Sequence, residues 1–226
     1  MIIAIDGPSG AGKSTLGKML AKELGLLYLD TGAMYRAVAV SALHTGTSIE
    51  DQAGLTSVAD GSKIDLVGEP DSLRVILDGA DVSAEIRTLE VAQAASIVST
   101  VSGVRRVMVE HQRQIGLAAP KGCVLEGRDI GSVVFPNADF KFFLTATPEA
   151  RARRRFEEDK AKGLVSTYEQ TLAEINQRDE RDVSRTDSPL VIAADAIVID
   201  TSELDLTEVF EQMLATINSH KSSAAE

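Results

Sequence analysis

Residues 7–15 read "GPSGAGKST" and set Gly7, Gly12, Lys13 and Ser14 at the spacing G-x-x-x-x-G-K-[ST]. Chemistry explains the residue types. Glycines let the backbone curl so that several N–H groups face one anion, and a helix opening at Lys13 adds its positive end. Lys13 is placed to reach the β- and γ-phosphates, and the Ser14 hydroxyl to orient Mg²⁺. The whole loop, Gly7, Pro8, Ser9, Gly10, Ala11, Gly12, Lys13, Ser14 and Thr15, is expected to hold a nucleoside triphosphate. The motif alone leaves switches, motors and kinases open.

Eleven of the fourteen arginines lie between Arg105 and Arg185. Arginine grips phosphate oxygens as a fork and keeps its charge. "RARRR" packs Arg151, Arg153, Arg154 and Arg155 into little more than one helical turn, where like charges repel unless an anion sits among them. "QRDERDVSR" puts Arg178, Arg181, Asp182 and Arg185 on one helix face, continuing a stripe that begins with apolar Leu172 and Ile175. "LDTGAMYR" and "LEGRDIG" place Asp30, Thr31, Arg36, Arg128 and Asp129 just past strand-like runs, where ligands of open α/β sheets collect. Taken alone, Ser96, Arg105 and Arg106 read as ordinary surface residues. His44, His111 and His220 are scattered, so no protein-held zinc site is indicated.

The elements that must position these groups follow from hydrophobic pattern. Residues 2–6 read as a buried strand, and Leu16, Met19, Leu20 and Leu24 mark one face of a helix from Lys13 to Leu24. "LLYLD" is a second strand, and a helix opens after Gly32. Residues 61–88 break the rhythm with short β-like runs parted by "GEPDS" and "DG", a small antiparallel meander. Two helices broken near Ser102 and Gly103 fill 89–118. "GCVLEG", "ADFKFFLT" and "AIVID" are strands, and the last helix ends near Asn218. The fold class is α/β, a doubly wound parallel sheet with helices on both faces.

The chain of 226 residues is 44% hydrophobic, enough for one sizeable core, and carries a formal net charge of −11. That balance argues against a nucleic-acid binder. Neither N-K-x-D nor T-K-x-D is present, which lowers a guanine-nucleotide switch. No apolar run reaches the roughly 18–20 residues of a membrane span, and the single Cys123 accords with a reducing cytoplasm. A monomer is expected, since no exposed apolar stripe stands out.

In order and interval, "GPSGAGKST", "LDTGAMYR", "EGRDIG", "RARRRFEE" and "RDERDVSR" resemble the bacterial cytidylate kinases of the P-loop nucleoside monophosphate kinase family, over residues 1–218. The resemblance implies ATP as donor with Mg²⁺, CMP and dCMP as acceptors, and CDP or dCDP with ADP as products. It divides the chain into core (1–32, 121–150, 167–218), a monophosphate-binding insert (33–120) and a helical arginine-rich lid (151–166). The polar tail 219–226 is expected to be disordered. It implies that Arg36 and Arg128 grip the acceptor phosphate with Thr31 close by. Ser96, Arg105 and Arg185 would read the cytosine, and Arg178 and Asp182 the ribose. Lys13, Arg128, Asp129, Arg153 and Arg154 would serve the transfer itself, with Ser14 toward the metal.

Overall fold

The structure is a computed structural model and describes residues 1–161, 163 and 165–223. Its central sheet has the order β2-β6-β1-β7-β8 and is parallel throughout. The strands are β1 (Ile2–Asp6), β2 (Leu27–Asp30), β6 (Cys123–Gly127), β7 (Phe140–Thr145) and β8 (Ile197–Asp200). All five residues of β6 are buried, as expected for a strand covered on both faces.

Side-chain alternation sends Ala4, Leu29 and Leu125 to one face and Ile3, Ile5, Tyr28, Val124 and Phe142 to the other. The first face is covered by α2 (Thr31–Thr45) and α5 (Ser102–Ala118), with α4 (Leu89–Val98) packed on α2; the second by α1 (Lys13–Leu24) and α8 (Leu206–Ser223). Helices therefore lie on both faces. In α1, Leu16 and Leu20 are fully buried, and truncating either to alanine would cost about 2–5 kcal/mol.

The small antiparallel sheet joins β3 (Ile64–Val67), β4 (Arg74–Leu77) and β5 (Ala80–Asp81). Its Ile64, Val75 and Leu77 run into the same core as α2 and α4. The remaining helices are α3 (Gln52–Gly61), α6 (Pro148–Ala161) and α7 (Tyr168–Ser184).

Several boundaries differ from the sequence-based expectation. α2 begins at Thr31, because Asp30 caps it by accepting from the Ala33 amide at 2.8 Å. Helix α3 was not anticipated, since its glycines weaken the helical signal; it forms because Leu55 and Ala59 bury themselves. Helix α8 runs through Ser223, past Asn218. Lid residues 162 and 164 and tail residues 224–226 lie outside the described residues.

Candidate active site

The glycine loop joins β1 to α1. Gly7, Gly10 and Gly12 have φ of +142°, +80° and +91°, in the region that favours glycine. A Cβ on Gly7 would lie 2.0 Å from the Leu144 carbonyl oxygen, so the loop requires glycine there. Helix α1 starts with no side-chain cap. Helices α2, α3, α4 and α7 are all capped, by Asp30, Asp51, Thr88 and Thr167. The opening amides of α1 are thus left for an anion. Lys13 is buried, and its Nζ donates to the Pro8 carbonyl at 2.7 Å. Burial, then the neighbouring Arg128, pushes its pKa well below the lysine range. The charge of a polyphosphate would oppose both effects.

The arginines converge above the same edge of the sheet. Arg128 Nε donates to Asp182 at 2.7 Å, and Arg185 donates to the other oxygen of that carboxylate. Burial would raise the Asp182 pKa, but Arg128, Arg185 and Arg178 outweigh it and hold the group ionised. Arg178 Nη1 reaches the Ser9 hydroxyl at 3.4 Å. Its own pKa falls to about 9, first through burial and then through Arg128, with Arg36 and Arg155 adding to it. Cations outnumber the carboxylate at their centre, which is the electrostatics of an anion site.

On the insert side, Arg36 pairs with Asp30 at 3.1 Å, and the Thr31 hydroxyl donates to the Glu126 carbonyl at 2.6 Å. Arg105 is only 3% exposed; it pairs with buried Asp129 at 2.6 Å and lies 5.5 Å from the Tyr35 ring centroid. It is therefore an interior group, which corrects its reading as a surface residue. Ser96 is half-buried and accepts from Arg181 at 2.9 Å across the gap between α4 and α7. Arg106 is exposed, as expected. The guanidinium Nε atoms of Arg36, Arg105 and Arg185 are all buried without a hydrogen-bond partner among the described residues.

The dense arginines of α6 do not form one comb. Successive residues point about 100° apart, so Arg151, Arg154 and Arg155 each find a different acceptor. Arg151 is buried; it forks onto Asp179 at 3.1 and 2.6 Å and donates to the Ser9 and Ala146 carbonyls at 3.2 and 3.0 Å. Arg154 binds the Thr201 hydroxyl at 3.0 Å and the Thr201 carbonyl. Arg155 pairs with Glu174 at 3.4 Å, and Arg153 is exposed.

Two buried carboxylates escaped the sequence reading. Glu126 accepts from the Tyr28 hydroxyl, and burial, then Asp30, raises its pKa against the pull of Lys13 and Ser14. Asp6 caps the segment after β6. Both sit at the ends of apolar strands, and their proximity to the loop was the available signal.

The residues fit a nucleoside triphosphate with its cation. Glycines hold the loop where a Cβ would clash, and the first amides of α1 are uncapped. The Ser14 hydroxyl lies beside Glu126 and Tyr28. Among the described residues no three His, Cys, Asp or Glu cluster. Mg²⁺ suits such a place, because it is commonly held by one or two protein oxygens with phosphates and water. No helix among the described residues is long and apolar enough to cross a membrane.

A glycine loop between β1 and α1 of a doubly wound parallel sheet, facing a cluster of arginines, defines the P-loop class of phosphate-binding α/β proteins. The cytidylate kinase family profile matches residues 3–219. The cytidylate kinase of Caldanaerobacter subterraneus subsp. tengcongensis is 52% identical over 215 residues, covering 95% of this chain and 93% of that protein. That of Pelotomaculum thermopropionicum is 49% identical over 217 residues, covering 96% and 95%. Shikimate kinase from Bacteroides thetaiotaomicron superposes with a TM-score of 0.49 at 14% identity, covering 98% of each chain. The chain belongs to the cytidylate kinase family.

Proposed function

We propose that the protein transfers the γ-phosphoryl group of Mg-ATP to CMP or dCMP, giving CDP or dCDP and ADP. One observation supports the acceptor site above all: the orphaned, buried Nε atoms of Arg36, Arg105 and Arg185 around the Asp182 cluster. Leaving such donors unpaired costs about 1–3 kcal/mol each, which a polar ligand recovers.

The chemistry follows from charge. The acceptor phosphate has a second pKa near 6 and is mostly a dianion at pH 7. One of its oxygens bonds to the γ-phosphorus as the bond to the bridging β–γ oxygen breaks. No proton changes hands, so no general base is required. The protein's task is to hold two repelling anions in line. Residues 7–15 hold the donor, with Lys13 at its phosphates and Ser14 toward Mg²⁺. The metal, when bound, supplies charge neutralisation on the triphosphate. Arg128 and Arg36 grip the acceptor phosphate beside Thr31. Arg178 and Asp182 take the ribose, and Ser96, Arg105 and Arg185 read the base, with Asp129 holding Arg105. Arg153 and Arg154 belong to a lid that closes over the phosphates and excludes water.

The test is label transfer. With γ-labelled ATP and CMP, the label should appear in CDP. Release into inorganic phosphate alone would reject the reading.

A further inference from the structure

The segment between β6 and β7 carries Arg128 and Asp129 and then turns through a single turn of π-helix, Ile130–Val134. Both of its ends are clamped by side chains from elsewhere. At the amide end, the two oxygens of Asp6 accept from the Ile130 and Gly131 N–H groups at 2.8 and 2.7 Å. At the carbonyl end, Arg113 of α5 donates to Val134 and Val133 at 2.9 and 2.8 Å. Asp6 is 5% exposed and ends β1, directly before the glycine loop. The fit is close, since a Cβ on Gly131 would lie 3.4 Å from Asp6 Oδ2 and 3.1 Å from the Lys141 side chain. A buried carboxylate is expensive to maintain, and the hydrogen bonds of this one go to the turn after Asp129, not to the glycine loop or an arginine.

We infer that Asp6 is a positioning residue for the acceptor: it fixes the backbone after Asp129, and so sets where Arg128 and the Arg105–Asp129 pair stand. This rests on the proposed acceptor role of Arg128. Arg128 has no other covalent restraint near its Cα than this segment and β6, and its fork must serve Asp182 and a phosphate together. A shift on the order of 1 Å at such a group can cost about 100-fold. Asn at position 6 keeps the shape but offers one acceptor oxygen, turning an NH₂ group toward an amide N–H.

Protonation should act like Asn. Burial raises the Asp6 pKa to about 6, against the two amides; Asp129 adds to the rise and Lys13 opposes it, while Lys141 flanks the turn from β7. The profile of kcat/KM for CMP reports ionisations of free enzyme and free substrate. In the wild type, Asp6 and the acceptor phosphate both ionise near pH 6, so the acid limb should approach a slope of two. In Asp6→Asn only the phosphate remains, and the slope should fall to about one.

The experiment measures kcat and both KM values for wild type, Asp6→Asn and Arg113→Met, with the pH profile for the first two. We expect the CMP KM to rise about 10- to 100-fold in Asp6→Asn and the ATP KM to change less than about threefold. Arg113→Met should shift the same parameter in the same direction. A wild-type CMP KM in Asp6→Asn, an equal loss for both substrates, or an unchanged acid slope would overturn the inference. If Asp6→Asn does not fold, Arg113→Met decides alone, and a wild-type CMP KM there overturns it. If the wild type itself phosphorylates no monophosphate, the proposed function fails instead, which these kinetics distinguish.

Discussion

Replacing Arg185 by methionine separates acceptor recognition from donor binding. Arg185 sits at the C-terminal end of α7, where the backbone leaves the helix with φ −58° and ψ +137°. Its side chain is 6% exposed, one donor is committed to Asp182, and Nε is buried without a partner. Methionine preserves most of the stem. Asp182 keeps Arg128 at 2.7 Å, so its charge stays compensated. If Arg185 reads the base as proposed, the loss is one charge-assisted hydrogen bond, about 1.5–3 kcal/mol. That corresponds to roughly 10- to 150-fold in CMP affinity. The proposed ATP site is the glycine loop, which Arg185 does not touch, so ATP affinity should stay within about threefold. Titration calorimetry with CMP and with Mg-ATP, on protein shown folded by its melting curve, measures both. Equal losses for the two nucleotides, or no loss for CMP, would refute the reasoning.

Three further outcomes follow from the same geometry. Lys13→Met should lower kcat by at least about 100-fold, because the proposed mechanism sets this buried cation at the transferring group; near-normal turnover would remove Lys13 from the mechanism. Gly7→Ala drives a Cβ to 2.0 Å from the Leu144 oxygen at a φ of +142°. About 1–3 kcal/mol of overpacking at about 2–4 °C per kcal/mol should lower the melting temperature by about 2–12 °C; an unchanged melt would contradict the loop geometry. The third concerns pH. The folded pKa of Asp6 is raised from 3.8 to about 6, so the folded state binds more protons than the unfolded state between those values. Its favourable contribution is full below about pH 4 and is lost as pH rises through about 6. Melting curves should therefore show wild type losing stability relative to Asp6→Asn from pH 4 to 6, and a constant difference would refute the assignment.

The phosphate loop was legible because its chemistry is local: glycines, lysine and hydroxyl lie within nine consecutive residues, between a strand and a helix. The α7 face was legible for a similar reason, since helical spacing alone aligns Arg178, Asp182 and Arg185. Pairings across the chain were not. Arg105 looks like a surface residue until Asp129, 24 residues later, meets it in the interior. Arg151 reads as one of a phosphate-seeking cluster, yet Asp179 and the Ser9 carbonyl claim it. Asp6 closes an apolar run and reads as a strand end, because the amides it holds lie 124 and 125 residues away. Helix α3 was hidden because packing, and not local preference, stabilises it.

The most direct measurement is ADP formation from Mg-ATP with CMP, dCMP, UMP, AMP or GMP added one at a time. Strong stimulation by CMP and dCMP is the predicted result. Stimulation by another monophosphate alone would overturn the base-reading assignments, and slow hydrolysis indifferent to all five would contradict phosphoryl transfer altogether.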